Sequence, residues 1–517
     1  MVKRRLALLP LAAGLCAAFP AQAAWDFTPQ ASARVTWSDN LGRLPDERAE
    51  SGIVLELTPG FQLENHSPRF QFRMAYALHL YQYAGHRPPS AQRHSQSLRS
   101  DLRSRLVDEL LFLDAQAAVS QQTVSAFGPL GGDSDYLRNN RNEVRSYQVS
   151  PYLVHRFGAF ANGELRYRHD AVSSDNIGFR RSTGNTVSAS LASGPSFRRF
   201  GWTASVSRGV VEDKLPPTGE RENEQTSSSK NANLALRYAA SPQLNVGVFG
   251  GYDSYDFDGL GGAQSGAAYG ASVDWTPSAR TSLKASAGHR FYGPSYSLAL
   301  QHRSRGTVWN IAYSDAVSST RSQFVLPQAV DTAAMLDNLF RAQIPDAALR
   351  AAIVQAYMQS SGLPPTLPNS VNFLSNRYSL LKQLNASMAW QLARTTSVLT
   401  VFKSRREMLS SQAVDSTLLG NTFSSLNDNT EQLGVSASVS YRIGPHTTAA
   451  LAASAVNVES LTVARDNRHR DVRAHLARNF GARASAMVEV RRARGNAGLG
   501  GQQYTENVVS AVLTAKF

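Results

Sequence analysis

The sequence predicts an all-β protein, a transmembrane antiparallel β-barrel of about 22 strands. Three observations lead to this prediction. Apolar and polar residues alternate in many segments from one end of the chain to the other, long polar connections alternate with short ones, and the last strand ends in an aromatic residue. One lipid-facing side and one polar side per strand is the pattern of a barrel in an outer membrane.

The C-terminal segment shows the alternation most clearly. Counting back from Phe517, every second residue is apolar: Ala515, Leu513, Ala511 and Val509. A strand needs about 9–11 residues to cross a bilayer. We interpret Phe517, Ala515 and Leu513 as an assembly signal for the barrel-assembly machinery of a Gram-negative outer membrane. A half-buried strand of a soluble β-sandwich is the alternative for this segment taken alone.

The same period of two recurs inside the chain, with charged residues on the side opposite the apolar one. Clear examples are residues 70–81, 164–168, 283–288 and 483–491. Charges on the concealed side of a strand indicate a water-filled lumen. The candidate lumen-facing basic residues are Arg73, Arg166, Arg168, Arg290 and Arg491. They either attract anionic solutes or brace the wall in ion pairs with Glu164, Asp170 and Glu489.

Connection lengths predict the orientation. Short turns, such as residues 157–158 and 480–481, alternate with longer polar segments, with one brief exception at residues 292–295. In an outer-membrane barrel the short turns are periplasmic and the long loops extracellular, so we expect both termini in the periplasm. The tryptophans support this arrangement, because four lie near proposed turns and one near the first long loop: Trp202, Trp275, Trp309, Trp390 and Trp37.

Residues 331–362 depart from the strand pattern and predict a short helical hairpin in the longest extracellular loop. One apolar stripe contains Met335, Leu336, Leu339 and Phe340; a second contains Leu349, Ile353 and Tyr357. Such stripes must be buried, either inside the lumen or against a partner at the mouth. We expect the inward fold, because an unplugged barrel of about 22 strands leaves a wide hole.

The N-terminus resembles a secretory signal peptide covering residues 1–23, followed by the barrel at 24–517. Lys3, Arg4 and Arg5 precede a short apolar run, and Ala21 and Ala23 give a small-x-small cleavage pattern. The single cysteine of the chain lies within this segment, so we expect no disulfide and no thiolate metal site. The formal net charge of +14 is spread without a basic block, so nucleic acid is not an expected partner.

The motif search indicates no enzyme. Residues 253–259 resemble part of a calcium loop, but Ser265 stands where the bidentate Glu belongs. The histidines are dispersed over different strands, and no nucleophile elbow, P-loop or zincin motif occurs. We predict no catalytic residue, no metal and no cofactor. An outer-membrane hydrolase with a Ser/His pair is the enzyme alternative.

Five short stretches resemble one known family when taken in order. They are WDFTP at 25–29, TWSDNL at 36–41, ELTPGFQL at 56–63, LLFLDAQAAVSQQ at 110–122 and YQVSPYLVHRFG at 147–158. Their order is similar to the PEP-CTERM system-associated outer-membrane protein family, whose members are encoded with exosortase and exopolysaccharide-biosynthesis genes in Gram-negative bacteria. The resemblance implies an outer-membrane barrel beside an exopolysaccharide and protein-sorting system, and it transfers no catalytic residue.

Two functional expectations follow from these observations. As a channel or export conduit, the barrel would pass anionic solutes or polysaccharide; as a closed scaffold, it would organise surface assembly. The expected partners are outer-membrane lipid or lipopolysaccharide, the barrel-assembly machinery, and exopolysaccharide or its export apparatus.

Overall fold

The computed structural model describes residues 25–85, 87–130, 136–175, 181–214, 224–256, 264–325, 332–341, 350, 354, 358, 372–375, 377–410, 419, 421–423, 425–481 and 483–517. The predicted signal segment, residues 1–23, lies outside these ranges. Within them, no helix has the length and apolar character needed to cross a membrane.

Twenty-two strands form one antiparallel sheet. They are β1 (Trp25–Ser38), β2 (Gly52–His66), β3 (Phe70–Gly85), β4 (His94–Val107), β5 (Leu111–Thr123), β6 (Arg141–Phe157), β7 (Ala161–Ser174), β8 (Arg181–Ser193), β9 (Phe200–Lys214), β10 (Glu224–Ser241), β11 (Leu244–Asp256), β12 (Gln264–Ser278), β13 (Thr281–Arg290), β14 (Gly293–Arg303), β15 (Thr307–Ser318), β16 (Ser379–Gln391), β17 (Thr395–Met408), β18 (Thr430–Arg442), β19 (Thr447–Ser460), β20 (Arg465–Phe480), β21 (Ala484–Asn496) and β22 (Gln503–Lys516).

The sheet closes because the first strand pairs with the last. β1 pairs antiparallel with β2 on one side and β22 on the other, with Ala31 opposite Ala515 and Trp37 opposite Val509. The backbone N–H of Phe517 donates to the Pro29 carbonyl at 2.9 Å and extends this seam. Closure leaves no unpaired sheet edge. The predicted fold class and strand number are confirmed.

The outer face of the barrel is apolar. The outward side of each strand is identified by its exposed apolar residues. Because residues paired across two strands face the same side of the sheet, the register then identifies the outward side of the neighbouring strand. Leu513 is 56% exposed and Val490 is also 56% exposed, whereas Ser510, on the opposite side of β22, is 3% exposed. Exposed apolar surface of this extent in a folded chain marks contact with lipid or another apolar partner.

Aromatic residues mark both ends of this apolar band. We call the end with the short turns the turn rim and the other end the loop rim; Trp25 and Phe517 both lie at the turn rim. There Trp25 contacts Phe70, and the ring centroids of Phe160 and Trp202 are 5.9 Å apart. Near the loop rim, exposed aromatics include Trp37, Tyr147, Tyr167, Tyr252, Tyr269 and Tyr296. Two such girdles are typical of membrane interfaces.

Two helices lie in the connection between β15 and β16. They are α1 (Thr320–Val325), which the sequence pattern did not predict, and α2 (Thr332–Phe340), which carries the predicted stripe of Met335, Leu336, Leu339 and Phe340. The second predicted stripe, Leu349, Ile353 and Tyr357, lies outside the described residues. In the same region Arg350, Val354 and Met358 are helical.

Candidate functional site

The inner surface of the barrel has two unlike regions. We call the inner face of β16–β22 the covered wall, because its side chains are buried; examples are Gln383, Thr400, Gln432, His475 and Ser510. We call the inner face of β8–β14 the open wall, because most of its side chains away from the loop rim remain partly or fully exposed; examples are Ser188, Thr203, Asn233, Ser297 and Gln301. Exposed side chains inside a closed barrel indicate that solvent reaches the open wall.

The helical insertion accounts for part of this cover. The chain leaves β15 at the loop rim, yet the stripe of α2 packs against Val308, Ala389 and Val398, which lie close to the short turns at the opposite rim. Val308 and Ala389 are fully buried, and Val354 joins the same cluster. The insertion therefore descends through the lumen, so the predicted inward fold is confirmed for α2.

Helix α1 anchors the loop-rim end of the insertion to β6 and β7. Its Arg321 forms an ion pair with Asp170 of β7, whose carboxylate is buried. Its Phe324 packs against a buried cluster that contains Val144 and Val172 of β6 and β7. Because α1 contacts β6 and β7 while α2 contacts β15 and β16, the insertion bridges two distant parts of the barrel wall.

The segment that returns from the insertion is also held from two sides. The guanidinium of Arg406 on β17 lies 4.0 Å from the ring centroid of Phe373. The Tyr378 hydroxyl is 2.6 Å from the Ser227 hydroxyl on β10, and burial raises the pKa of Tyr378 above its ordinary value. These contacts fix the chain as it re-enters the wall at β16.

A second loop folds inward across the loop rim. The structure describes this loop, between β5 and β6, at residues 124–130 and 136–140, and its Phe127 is fully buried in a cluster with Phe373 and Val458. Asn467 of β20 donates from its side-chain amide to the carbonyls of Ala126 at 2.9 Å and Gly128 at 3.0 Å. A polar loop can remain buried there because these amides satisfy its backbone groups.

A buried charge cluster joins the first loop to β21 and β22. The carboxylate of Glu506, which is fully buried, accepts from Arg43 at 3.0 Å and from Arg491 at 2.9 Å. Burial disfavours the charge on Arg43, but Glu506 outweighs burial and raises the pKa of Arg43 above its ordinary value. The hydroxyl of Ser38 also donates to Glu506, at 3.2 Å. Arg43 is not among the predicted lumen-facing residues, because a loop residue has no periodicity that shows where its side chain points.

All five predicted basic residues lie on inner faces, and four of them form close ion pairs. The pairs are Arg73 with Glu64 at 3.1 Å, Arg166 with Asp114 at 3.1 Å and Glu164 at 2.8 Å, Arg290 with Asp253 at 2.7 Å, and Arg491 with Glu506 at 2.9 Å. Such pairs brace the wall and offset the charge that a passing solute meets.

The acidic partners differ in part from the expected ones. Glu164 pairs with Arg166 as the bracing alternative expected, but Arg491 pairs with Glu506 instead of Glu489. Asp170 pairs with Arg321 of the insertion. Arg168 forms no close ion pair within the described ranges, and its Nε is buried without a hydrogen-bond partner there. Glu506 and Arg321 come from another strand and from the insertion, so the alternation within one strand does not predict these two partners.

A cavity of about 380 Å³ lies between α2 and the end of the open wall. Its inner-face lining includes Lys284 of β13, Gln301 of β14 and Asn310 of β15, and α2 contributes Met335 and Asn338. The cavity therefore places the insertion directly beside the exposed polar surface, where any movement of α2 would change the space along the open wall.

The calcium-like segment begins inside the lumen. Asp253 lies on β11 and receives hydrogen bonds from Arg290 at 2.7 Å and Asn231 at 2.9 Å, while residues 257–263 lie outside the described ranges. Among the residues that the structure describes, no group of three or more His, Cys, Asp or Glu side chains is placed to hold a metal ion.

Comparison with known proteins identifies the architecture. No protein-family profile and no curated protein matches the chain. Among solved structures, the siderophore receptor PirA from Acinetobacter baumannii is similar at a TM-score of 0.50 and 8% identity, over 95% of this chain and 80% of that one. The FrpB iron transporter from Neisseria meningitidis (F3-3 variant) gives 0.49 and 10%, over 95% and 82%. At such identities the likeness concerns the fold alone. The chain is thus a closed 22-stranded antiparallel barrel, and its fold is similar to that of PirA from Acinetobacter baumannii.

Proposed function

We propose that this barrel is an outer-membrane conduit for a hydroxyl-rich polymer of the polysaccharide class, and that the polymer passes along the open wall. The observation that carries the proposal is the asymmetry of the lumen. Away from the loop rim, the open wall keeps most of its side chains accessible to solvent, while loops and helices cover much of the wall formed by β16–β22. A barrel that was only a scaffold would have no need to keep one side of its interior wet.

The chemistry of the open wall suits sugars. Its exposed inner-face side chains are mainly hydroxyls and amides, including Ser188, Ser190, Thr203, Ser205, Ser207, Asn231, Asn233, Ser272, Ser286, Ser297 and Gln301. Hydroxyl and amide groups both donate and accept hydrogen bonds, as sugar hydroxyls do. Selectivity in pores follows from the width and from the donors and acceptors on the lining.

The pairing of the lumen arginines favours polysaccharide over small anions as the cargo. Four of the five predicted basic residues are engaged by carboxylates, so their charge is largely offset within the wall. Exposed cations do occur on the open wall, at Arg237 and Lys284. They favour a polymer that carries some acidic groups over a cationic one.

The resemblance of several stretches to the PEP-CTERM system-associated family adds support, because members of that family are encoded with exopolysaccharide-biosynthesis genes. We place the barrel in the outer membrane with the loop rim outward and both termini periplasmic. The band of exposed apolar residues between two aromatic girdles supports this placement.

A closed scaffold is the second candidate, and one observation favours it. The loop of residues 124–140 is held across the loop rim by Asn467 and Asn496, which donate to the carbonyls of Ala126, Gly128 and Phe127. A loop that is fixed in this way closes part of the mouth. The two candidates differ in whether ions and sugars pass along the open wall.

Single-channel recording of the purified barrel in planar bilayers separates them. We expect a small ionic conductance that polysaccharide fragments added to one chamber interrupt. Ser297→Trp places a bulky ring on the open wall and should lower the conductance. Leu298→Trp, on the adjacent outward-facing residue, is the matched control and should not. An electrically silent barrel, or equal effects of the two substitutions, would reject the conduit.

A further inference from the structure

The outer surface of β20 and β21 carries a cluster of four arginines close to the loop rim. We call Arg468, Arg470, Arg492 and Arg494 the arginine patch. All four are exposed and occupy the same side of their strands as the lipid-facing Val472 and Val490. The register places Arg470 directly opposite Arg494, and Arg492 opposite Val472. The patch is therefore contiguous across two strands.

Most of the patch has no internal counter-charge. Arg468 pairs with Asp466 at 3.0 Å. Within the described residues, Arg470, Arg492 and Arg494 form no ion pair with any carboxylate. On the adjoining strand, Asn507 and Thr505 stand opposite Arg492 and Arg494, and they are hydrogen-bonded to Asp39 and Asp46. Like charges directly opposite each other on neighbouring strands are destabilising, so this arrangement favours an external anion.

Other outward cations near the same rim provide a contrast. Lys382 and Arg405 both pair with Glu407, at 3.1 Å and 2.8 Å, and Lys403 pairs with Glu431 at 2.7 Å. The barrel thus neutralises the outward cations of β16 and β17 within its own surface. On β20 and β21 it leaves three guanidinium groups uncompensated, although these strands have the same lipid-facing geometry.

The position of the patch identifies the chemistry of the anion. Between the patch and Arg478 at the turn rim, the outward residues of the same strands are apolar, and Val472, Val488 and Val490 are each at least half exposed. The arginines stand where this apolar surface ends, which is the level of lipid headgroups in a membrane. Guanidinium groups bind phosphate bidentately and are less strongly hydrated than ammonium groups. A phosphorylated headgroup with its acyl chains along the valines matches both surfaces.

We propose that the arginine patch is a binding site for the phosphorylated headgroup of an outer-leaflet glycolipid of the lipopolysaccharide type. Three uncompensated guanidinium groups within one patch suit a headgroup that carries two phosphates better than a single phosphodiester. The proposal rests on the outer-membrane placement with the loop rim outward, and it is independent of what passes through the lumen.

The test measures binding of purified rough-type lipopolysaccharide to the full barrel in detergent. We expect the triple variant Arg470→Gln, Arg492→Gln, Arg494→Gln to bind roughly 100-fold more weakly than the unaltered barrel, since each of the three basic residues near a lipid surface contributes on the order of 1 kcal/mol. The matched control, Lys403→Gln with Arg405→Gln, removes cations that already have carboxylate partners and should leave the affinity unchanged.

Two further arms use the unaltered barrel and need no variant. Dephosphorylated lipopolysaccharide should bind as weakly as the triple variant binds the intact lipid, and phosphatidylglycerol should bind more weakly than lipopolysaccharide. Heat-modifiable migration verifies that each variant is folded. Equal binding of the triple variant, equal binding of the dephosphorylated lipid, or phosphatidylglycerol binding as tightly as lipopolysaccharide would each overturn the proposal.

Discussion

The covered wall and the open wall are built from the same kind of strand, yet they present unlike inner surfaces. On the outside both show exposed apolar residues, such as Val435 on β18 and Val206 on β9. On the inside the covered wall combines small hydroxyl residues with large or charged ones, such as Phe402 and Arg406, whereas the open wall is mainly Ser, Thr, Gly and Asn, with exposed cations at Arg237 and Lys284. Contact with lipid requires apolar side chains over the whole outer face, whereas the composition of the inner face can differ from one group of strands to the next.

The difference follows from what each inner surface can hold. Apolar side chains on the inner face give the incoming helix a surface to pack against, as Val308, Ala389 and Val398 do for α2. Small hydroxyl-bearing residues offer little apolar area, so a segment lying on them would gain little from burial.

Removal of the insertion should have the largest effect, because it uncovers part of the covered wall and makes the two walls more alike. Deleting residues 332–361 takes α2 off the covered wall, so we expect the single-channel conductance to rise roughly two- to fivefold, because a barrel of this strand number encloses a wide lumen. Long surface connections tolerate shortening, so the barrel should still assemble. Heat-modifiable migration checks assembly. An assembled, conducting deletion variant with unchanged conductance would show that α2 does not narrow the passage.

Loss of the α1 anchor should loosen the insertion without removing it. Arg321→Ala leaves the buried Asp170 carboxylate without its partner, which typically costs about 3–5 kcal/mol. Backbone hydrogen exchange in α1 should accelerate accordingly, and adding Asp170→Asn should recover part of the loss. As the control, Arg73→Ala breaks an exposed pair with Glu64 and should change stability by about 0–1 kcal/mol. Similar effects of the two substitutions would contradict the anchoring role.

A matched pair of glycine substitutions tests packing on the two walls. In the covered wall, a methyl group at Gly434 would overlap the ring of Phe402, which is only 2% exposed and has no room to move. We expect Gly434→Ala to destabilise the barrel by about 1–3 kcal/mol. At Gly209 in the open-wall strand β9, an added methyl group would lie 2.9 Å from the Ser229 hydroxyl oxygen, its nearest neighbour. A hydroxyl can rotate away from such a contact.

Gly209→Ala should therefore be neutral or stabilise the barrel by about 0.4–1 kcal/mol, since alanine restricts the unfolded chain. The free energies of unfolding of the two variants are compared in urea, with the loss of heat-modifiable migration as the measure of unfolding. An equal cost at both positions would mean that the open wall is packed as tightly as the covered one.

The smallest expected effect is a pH dependence of α2. Burial acts to raise the pKa of Asp337, but hydrogen bonds from Arg350 at 2.5 Å and Arg341 at 3.0 Å outweigh it and lower the pKa below its model-compound value of 3.8. A depressed pKa stabilises the folded form above the unfolded pKa, and this contribution is lost as the pH falls through the folded value.

We therefore expect the hydrogen-exchange protection factors of α2 to show no contribution from Asp337 titration between pH 7 and about pH 5, and to fall slightly below about pH 4. Asp337→Asn should remove this acid-dependent component. The matched control is Asn338→Asp, which adds a carboxyl on the neighbouring residue without the two arginine contacts. An identical acid response in the unaltered barrel and Asp337→Asn would exclude the proposed role of this carboxylate.

Much of the fold could be predicted because lipid imposes a simple rule on the outer face. The alternation ending in Leu513 and Ala515 predicts the outward side of β22, and the recurring turns predict the strand number. The inward faces of Arg73, Arg166, Arg168, Arg290 and Arg491 follow from the same period of two. In α2, Leu336 and Leu339 recur at helical spacing because only one face of the helix is buried, so the sequence predicts this stripe.

The sequence by itself determined what each residue faces within its own strand or helix, because the pleat and the helical turn are local repeats. Only the tertiary structure decided which inward residues meet. Glu506 pairs with Arg43 from a loop 463 positions away, and Asp170 pairs with Arg321, which is 151 positions away. It also decided which wall the insertion covers. These outcomes depend on barrel closure and on the path of the loops through the lumen, and no local period encodes either.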